Sequence, residues 1–327
     1  MAVISIIIPV RNRKEYTRHI LDQIYTQISQ TNLDNISVIV IDDGSTDGTP
    51  EIICAQFPEV KLIQGDGSLW WTGAICLGME YALEKLSSDY FVWVNDDISI
   101  SEEFLMNLND ICDSPVNCNR IIGGIVRDRT YPDWIVFSGM VNKKLIRSLD
   151  FFAKEETKEV DTLNGNIAII PRSVVDKIGL PDSDKFQHYG GDFEFVLRAK
   201  NAGFSVVLSR KIQAITDYQM TDFIRYMPPW MQWKIQPNLS KRKEIIIGFT
   251  NLKSHYNIWH QVNINSYGAK YIPSWKYFIF YFRQIIKVLS SDFWSQNKID
   301  QEINNYFKQQ NVPSAIAKAI MSQINSK

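Results

Sequence analysis

The first 100 residues of this chain alternate short, continuous apolar runs with segments of helical length. Four runs that are rich in β-branched or aromatic residues predict strands at 4–8, 36–41, 60–63 and 90–94. Runs without polar alternation are typical of strands covered on both faces, as in parallel sheets flanked by helices. The repeated strand–helix–strand units therefore predict an α/β fold with a mainly parallel central sheet and flanking helices.

Local signals mark where the intervening helices begin and end. Thr49 is predicted as an N-cap, with Pro50 at the first helical position. Ser101, which is followed by two glutamates, predicts the start of another helix. A later helix is predicted to begin at or near Asp192 and to end at Gly203. Such helices supply the crossover connections that parallel strands need.

Polar residues follow each predicted strand, at the edge where open parallel sheets bind their ligands. The segments after the four strands are, in order, Pro9-Val10-Arg11-Asn12, Asp42-Asp43-Gly44-Ser45, Gly65-Asp66-Gly67-Ser68-Leu69-Trp70-Trp71 and Asn95-Asp96-Asp97. Three of these four segments contain aspartates, which repel each other when they gather at one edge. The sequence therefore predicts a cation or a hydroxyl-rich ligand at this edge.

The acids after the second predicted strand suit the recognition of a nucleotide base. Asp43 is predicted to accept the N3–H of a pyrimidine, and Asp42 is predicted to order the turn. Pro9 and Val10 offer backbone groups to the rest of the ring. The alternative is a tight turn without a ligand, in which Asp, Gly and Ser are common.

The acids after the fourth predicted strand suit a divalent cation. Mg²⁺ is usually bound through one or two carboxylates together with phosphate oxygens, and Mn²⁺ prefers similar ligands. Asp97 is predicted as the metal ligand and Asn95 as the residue that faces the ribose. The alternative is a turn that caps the helix predicted near Ser101.

Asp192 is a lone carboxylate that follows two glycines, which suits a general base that must meet a bulky hydroxyl substrate. The alternative role is helix capping. Glu194 is predicted to pair with Arg198 at i,i+4 spacing. Trp70 and Trp71 lie in a segment predicted to be an extended loop, with one indole stacking on a ligand or lining a sugar pocket and the other packing in the core.

Together these segments resemble family 2 glycosyltransferases with the GT-A (Rossmann-like) fold, over roughly residues 3–218. The motifs that carry the resemblance are Ile6-Ile7-Ile8-Pro9-Val10-Arg11-Asn12-Arg13, Asp42-Asp43-Gly44-Ser45-Thr46-Asp47, Asn95-Asp96-Asp97 and Gly191-Asp192-Phe193-Glu194-Phe195-Val196-Leu197-Arg198. Residues 65–73 are similar to those of a bacterial, rhamnosyltransferase-like subset. The resemblance implies a metal-dependent, inverting transfer from a UDP-sugar or dTDP-rhamnose to a hydroxyl of a saccharide or lipid-linked acceptor in bacterial surface polysaccharide synthesis.

The same resemblance implies roles for individual residues. It makes Asp192 the base and places Asp97 on the metal, Mg²⁺ or Mn²⁺. The residues expected to bind the nucleotide sugar are Pro9, Val10, Arg11, Asp42, Asp43, Asp66, Trp71, Asn95 and Asp96.

The chain departs from the family pattern at three places. Asn95 stands where the family's Asp-x-Asp motif begins, and Gly191 stands where a glutamate usually precedes the base. A histidine that often follows the last core strand is absent near residues 215–218. Asp217 is our hypothesis for the metal ligand that replaces this histidine.

Two other functions stay open at this point. A catalytically silent carbohydrate-binding or scaffold subunit is favoured by Asn95 and Gly191. A sugar-1-phosphate nucleotidyltransferase shares a similar sheet, but it needs a glycine-rich, basic phosphate loop after the first strand, where residues 9–12 contain no glycine. The sequence also lacks the GxxxxGK[ST] motif, which excludes a P-loop NTPase.

Charge is distributed unevenly along the chain. Residues 1–220 carry 21 basic and 31 acidic side chains, whereas residues 221–290 carry 10 basic and 2 acidic ones and hold 15 of the 40 aromatic residues. The acidic first part argues against an electrostatic nucleic-acid binder. The change in composition predicts a catalytic domain at 1–220 and a helical, aromatic-rich extension at 221–327.

The extension is predicted to pack on the catalytic domain, to contact the acceptor or a second copy of the chain, or to dock peripherally on anionic lipid. For lipid docking, the side chains expected at the interface are those of Trp275, Tyr277 and Phe278, with Lys276, Arg283 and Lys287 near the headgroups. No secretory signal or membrane-spanning run is recognised in the sequence. The expected location is the cytoplasm, including the inner face of the cell membrane.

Overall fold

The computed structural model describes residues 1–236, 238–252, 254–266 and 272–325. The chain forms two compact units, Met1–Asp217 and Tyr218–Lys327. The first unit combines strands and helices, and the second is helical in its described residues.

The first unit is built on a large central sheet. The strands of the whole unit are β1 (Ile4–Val10), β2 (Ile36–Asp42), β3 (Lys61–Gln64), β4 (Tyr90–Val94), β5 (Ser99–Ile100), β6 (Arg120–Asp128), β7 (Ile135–Phe137), β8 (Gly139–Val141), β9 (Lys144–Leu145), β10 (Thr157–Glu159), β11 (Thr162–Leu163), β12 (Ile167–Pro171) and β13 (Ser205–Thr216). Its helices are α1 (Lys14–Thr31), α2 (Thr49–Gln56), α3 (Trp70–Lys85), α4 (Phe104–Asp113), α5 (Arg172–Ile178) and α6 (Gly191–Asn201). The four strands predicted from apolar runs are β1 to β4.

The sheet is mainly parallel, as predicted. Its strand order is β10-β13-β6-β12-β4-β1-β2-β3, with β5 pairing β13 and β7 pairing β6. The neighbours β3, β2, β1 and β4 run parallel, as do β6 and β13, whereas β12 runs antiparallel to β4 and β6. A smaller sheet has the order β11-β8-β9. The carboxyl ends of β1, β2, β3 and β4 therefore lie at one edge.

The core explains why these runs fold as inner strands. Ile7 on β1 and Trp93 on β4 are both fully buried, and α3 covers one face of the sheet. A Cβ at Gly78 of α3 would clash with Ile7 Cγ2, so the glycine lets the helix approach the strand closely. This close packing places the start of α3 near the carboxyl edge of the sheet.

Some predicted helix boundaries are wrong. The residue before α2 is Gly48, whose φ of +89° is a left-handed conformation that glycine adopts readily, so Thr49 is already helical and is not the N-cap. The helix after Ser101 begins three residues later, because the Ser101 carbonyl first closes a turn with the Phe104 N–H at 3.0 Å. Trp70 and its successor begin α3 and do not form an extended loop.

The helix that carries Asp192 follows its prediction more closely. Gly190, with a φ of +89°, precedes α6, so Asp192 lies in the first helical turn and not at the N-cap itself. The predicted i,i+4 pair is confirmed, since Arg198 Nε donates to Glu194 Oε1 at 2.9 Å. The helix ends at Asn201, two residues before the predicted Gly203.

The second unit is a set of helices rich in aromatic contacts. They are α7 (Met220–Tyr226), α8 (Pro229–Ile235), α9 (Leu239–Gly248), α10 (Ile258–Asn265), α11 (Ser274–Ser290), α12 (Gln296–Gln309) and α13 (Ser314–Asn325). Tyr277 on α11 is half-buried and donates its hydroxyl hydrogen to Asn263 Oδ1 at 3.4 Å, so its side chain packs against α10 of the same unit. Within the described part of the chain, no helix combines the length and apolarity required to cross a membrane.

Candidate active site

The carboxylate of Asp43 holds the turn that follows β3. Asp43 Oδ1 accepts from the N–H groups of Gly67 (2.8 Å) and Leu69 (3.1 Å), and Oδ2 accepts from Trp70 N–H (3.0 Å). The guanidinium of Arg11 donates to the Gly67 carbonyl at 2.6 Å and lies 3.7 Å from Asp43 Oδ2. The segments after β1, β2 and β3 are thus joined around one buried acid.

The neighbouring predicted residues order the backbone of these turns. Asp42 accepts from Ser45 N–H at 3.2 Å, which closes the turn after β2. The carbonyl of Val10 accepts from Asp43 N–H at 2.9 Å, and Pro9 pairs in register with Ile41. These contacts fix where the Asp43 carboxylate lies relative to the end of β1.

Asp66 belongs to the tip of the turn after β3. Its Oδ1 accepts from both the N–H and the hydroxyl of Ser68, at 2.9 and 2.6 Å, and these bonds hold the pKa of Asp66 below its usual range. The side chain is exposed. It is therefore available to solvent or ligand at the rim of the site, while it shapes the turn.

Arg13 binds both acids that follow β4. Its Nη1 lies 2.8 Å from Asp96 Oδ1 and 3.0 Å from Asp97 Oδ2. Asp96 is buried, and Thr216 at the end of β13 donates its hydroxyl hydrogen to the Asp97 carbonyl at 2.8 Å. The end of β13 is thereby attached to the same acidic turn.

Burial and charge act in opposite directions on these ionisable groups. Burial raises the pKa of Asp96 above its ordinary value, and the charge of Arg13 offsets this only in part. Burial alone lowers the pKa of Arg13, but the carboxylates of Asp96 and Asp97 outweigh it and leave the pKa raised. Arg13 is therefore a permanent cation that compensates a buried acid.

Two carboxylate oxygens in this turn fit a divalent cation. Asp96 Oδ2 and Asp97 Oδ1 are buried and have no hydrogen-bond partner among the described residues. Hard cations prefer such oxygens and can complete their shell with water and phosphate. Within the described ranges, no cluster of three or more histidine, cysteine or acidic residues stands ready as a metal site. The residues therefore fit an ion held by two carboxylates and by a bound phosphate ligand.

Asp217, the other predicted metal ligand, follows directly after Thr216. Its Oδ1 accepts from Arg129 Nε at 2.8 Å, and its side chain is largely exposed. Thr216 brings this segment against Asp97. Asp217 is thus one residue away from a contact with the acidic turn, and it is engaged by an arginine.

Trp71 connects the acidic turn to the helix that carries the predicted base. Its Nε1 donates to Asn95 Oδ1 at 2.9 Å, and its ring meets Trp93 edge-on with 5.4 Å between ring centroids. The same indole packs so closely over Gly165 that a Cβ at this glycine would clash with it. Trp71 therefore sets the distance between Asn95 and the loop before β12.

Asp192 also lies against Gly165. Its Oδ2 accepts from Gly165 N–H at 2.8 Å, and its Oδ1 accepts from Phe193 N–H at 2.8 Å. Burial raises the pKa of Asp192 from 3.8 to about 6, although these backbone bonds partly oppose the shift. A carboxylate with such a pKa is suited to accept a proton near neutral pH.

The structure connects all four predicted motifs through direct contacts. Asp43 joins the first three segments, since it lies beside Arg11 and accepts from the turn after β3, and Trp71 joins the third segment to Asn95 of the fourth. Gly165 lies against Trp71 and donates to Asp192, which brings in the helix of the predicted base. Sequence reasoning did not single out Arg13 and Gly165 as site residues. The available signal for Gly165 was its position between two asparagines just before the apolar run of β12.

We expect Arg13→Gln to lower the free energy of unfolding by about 1–3 kcal/mol in the absence of divalent ions, since it leaves a buried acid without its partner. Mn²⁺ should then raise the melting temperature of this variant more than that of the wild type, because the ion replaces the missing positive charge. Thermal unfolding with and without Mn²⁺ measures both effects.

Arg18→Gln is the matched control for this change. Arg18 lies on α1, the helix that Arg13 directly precedes, and pairs with the exposed acids Glu15 (3.3 Å) and Asp22 (3.0 Å). Exposed pairs contribute at most about 1 kcal/mol. Equal stability of the Arg13 and Arg18 variants, with equal responses to Mn²⁺, would contradict the role of Arg13.

Comparisons with known proteins identify the family and the fold of the chain. Residues 5–179 match the family model described as Glycosyl transferase family 2. Glycosyltransferase GlyA of Streptococcus pneumoniae is 32% identical over 109 residues, which are 32% of this chain and 14% of that protein. Low-salt glycan biosynthesis hexosyltransferase Agl10 of Haloferax volcanii is 23% identical over 216 residues, covering 58% of this chain and 69% of that protein.

A solved structure shows a similar overall architecture. It is mannosyltransferase PcManGT from Pyrobaculum calidifontis in complex with GDP-Man and Mn²⁺, with a TM-score of 0.51 and 14% sequence identity. The match covers 99% of this chain and 87% of that one. At this level of identity the likeness concerns the fold alone.

Proposed function

The chain belongs to glycosyl transferase family 2 and has the GT-A fold, and on this premise we propose that it is a metal-dependent, inverting glycosyltransferase. It transfers a sugar from a UDP-sugar or dTDP-rhamnose to a hydroxyl of a saccharide or lipid-linked acceptor. The proposed setting is the biosynthesis of a bacterial surface polysaccharide, and the name of the relative Agl10 supports glycan biosynthesis. The rhamnosyltransferase-like subset stays a prediction.

The observation that carries this proposal is the convergence of distant acids at one edge of the sheet. Asp43, the Asp96–Asp97 pair and Asp192 are connected through Trp70, Trp71 and Gly165 although they are far apart in sequence. Asp43 accepts hydrogen bonds from the backbone. The Asp96–Asp97 pair has buried oxygens without a partner among the described residues, and Asp192 has a pKa raised to about 6. Each property suits a different part of a nucleotide-sugar reaction.

Asp43 is the proposed contact for the nucleotide base. Its two oxygens offer about four lone-pair positions, and three are occupied by backbone N–H groups. The remaining position can accept the N3–H that uracil and thymine share. This supports a pyrimidine nucleotide and leaves the choice between UDP and dTDP to the sugar and the rest of the pocket.

The proposed reaction is a single displacement at the anomeric carbon. The acceptor oxygen attacks this carbon from the face opposite the diphosphate, the carbon–oxygen bond to the diphosphate breaks, and the hydroxyl proton passes to a carboxylate oxygen of Asp192. Backbone N–H donors hold both oxygens of Asp192 in place before the substrate arrives. Asp97, with Asp96 and Asp217, would hold Mg²⁺ or Mn²⁺, which would supply positive charge against the leaving diphosphate.

The remaining predicted residues position the site or contact the ribose in this proposal. Arg11 holds the turn after β3 close to Asp43. Asn95 retains its amide N–H groups for the ribose, since its Oδ1 is bound by Trp71. The second unit is the proposed contact surface for the acceptor, a second copy or a membrane, and the proposed location is the cytoplasm.

A thermal-shift and turnover screen of UDP-sugars and dTDP-rhamnose, each with Mg²⁺ and Mn²⁺, tests the proposal. At least one donor should raise the melting temperature only when the cation is present, and that donor should be turned over. We expect Asp97→Asn to weaken cation-dependent donor binding about tenfold or more, because it removes a charged ligand from the ion.

The screen also separates the other two functions. A silent scaffold would bind a donor and release neither nucleotide nor free sugar from it. A nucleotidyltransferase would release pyrophosphate from a nucleoside triphosphate and a sugar-1-phosphate. Asp89→Asn, one residue before β4 and at the opposite end of that strand from the acidic turn, is the matched control and should leave the cation dependence unchanged.

A further inference from the structure

The helix α11 presents an apolar stripe to solvent. The exposed side chains are 46–64% accessible and are those of Trp275, Phe278, Ile279, Phe282, Ile286 and Leu289. Their spacing of three, one, three, four and three residues places them on one side of a helix. A stripe of this size on a soluble surface indicates an interaction site.

The opposite face of α11 already packs within the second unit. Val288 is fully buried, and the ring centroids of Tyr281 and Phe249 lie 6.2 Å apart. Tyr277 is bound to Asn263 of α10. The stripe is therefore not the face through which α11 packs in the second unit, because a different face of the helix makes those contacts.

Positive charge runs beside the stripe. Lys276, Arg283 and Lys287 are seven and four residues apart, so they form a second line along the exposed half of α11. The helix contains no acidic residue. The nearby Asp292 is bound by Lys234 Nζ at 2.8 Å and by Trp233 Nε1 at 2.9 Å, so its charge is already compensated.

We propose that this face of α11, the apolar stripe with its line of basic residues, docks on an anionic lipid bilayer. Aromatic and aliphatic side chains on one side with lysine and arginine beside them are typical of helices that lie in the membrane interface. A second copy of the chain is a poorer match by charge. In an antiparallel two-fold contact through the stripe, the basic lines of the two helices would lie on the same side, with no acid on either helix to pair with them.

Docking in this manner would place the second unit at a membrane surface without any spanning segment. The acceptor class that fits this location is a saccharide carried on a lipid. The docking itself rests on α11 alone and does not depend on the proposed catalytic activity. Asp192→Asn should therefore bind vesicles as the wild type does, whatever its turnover.

Co-sedimentation with vesicles of phosphatidylcholine, with and without phosphatidylglycerol, tests the proposal. The wild type should bind only the anionic vesicles, and high salt should weaken the binding. Arg283→Gln/Lys287→Gln should bind them about 30-fold less tightly, from about 1 kcal/mol for each basic residue near the surface. Phe278→Ser/Phe282→Ser should bind about 100-fold less tightly, since it removes two aromatic side chains that the bilayer would bury.

Matched controls lie on α9 of the same unit. Lys241→Gln/Lys243→Gln makes the same charge change, and Leu239→Ser/Ile247→Ser removes two apolar side chains that are also exposed. Both should bind as the wild type. Circular dichroism should show that every variant is folded.

Two results would overturn the proposal. One is failure of the folded wild type to sediment with anionic vesicles. If Phe278→Ser/Phe282→Ser then also converts a dimer into a monomer, the occupant of this face is a second copy of the chain. The other is an equal loss of binding in the α9 and α11 variants, which would show that general charge and apolarity, not this face, cause any association.

Discussion

Asp192→Asn is expected to lower kcat by about 10²–10⁴-fold, the usual contribution of a general base. Asparagine cannot take the acceptor's proton, whereas the surrounding site stays in place. Only one of its side-chain atoms can accept from Gly165 or Phe193 N–H, where the carboxylate accepts from both. The variant should therefore also be less stable by about 1–3 kcal/mol, so thermal unfolding must accompany the kinetics. Donor affinity should change little.

The pH profile distinguishes loss of a base from loss of structure. Because burial raises the pKa of Asp192 to about 6, the wild-type kcat/KM should rise with pH up to about 6 and then level off. Below this value the carboxyl is protonated and cannot act as a base, so kcat/KM should fall about tenfold per pH unit. The residual activity of Asp192→Asn should lack this limb.

Asp184→Asn is the matched control for the base, since it makes the same substitution at an exposed aspartate eight residues earlier. It should keep both the wild-type turnover and the acidic limb. Wild-type turnover by Asp192→Asn, or the same acidic limb in that variant, would contradict the assignment of Asp192 as the base.

Much of the sheet could be predicted because its inner strands have no solvent-facing side. The runs that became β1, β2 and β4 are continuous in apolar residues, and nothing but burial on both faces stabilises such runs. A continuous apolar run does not reveal whether its strand pairs in a parallel or an antiparallel direction. The segment of β12 is as apolar as β4, yet it is inserted antiparallel beside it.

Positions that depend on backbone conformation or on distant partners were harder to predict. Gly48 takes the place expected for Thr49 before α2, since the turn needs a positive φ there. Asp43 could be recognised as a site residue by its place after β2. Its three backbone donors come from a turn some 24 to 27 residues later, and no local pattern reveals them.

Arg13 shows the same limit in the active site. Its side chain could be seen in the sequence as part of the first motif, but its pairing with Asp96 and Asp97 spans more than 80 residues. A local reading therefore predicted aspartates that repel each other until an ion binds. The structure instead supplies a guanidinium that compensates part of this charge.

Gly165→Ala is expected to lower kcat/KM by about 10²-fold, although the added methyl group carries no charge. Gly165 has a φ outside the left-handed region, so alanine is not excluded by its backbone conformation. The added Cβ would instead clash with Cζ2 and Cη2 of Trp71 and lie 3.3 Å from the Cβ of Asp192. The indole must move, and its hydrogen bond to Asn95 must lengthen or break. A displacement of about 1 Å at a reacting group can cost this much in rate.

Gly73→Ala is the matched control, because Gly73 lies two residues after Trp71 and a Cβ there would meet Leu69 Cβ at an ordinary 3.4 Å. In a helix this change should be neutral or stabilising. Trp71→Phe removes the outer part of the ring that the new Cβ would strike. If the indole transmits the effect, Gly165→Ala/Trp71→Phe should be no slower than Trp71→Phe alone. Full additivity of the two single losses would show that Gly165 acts on Asp192 directly and that Trp71 does not set the position of the base.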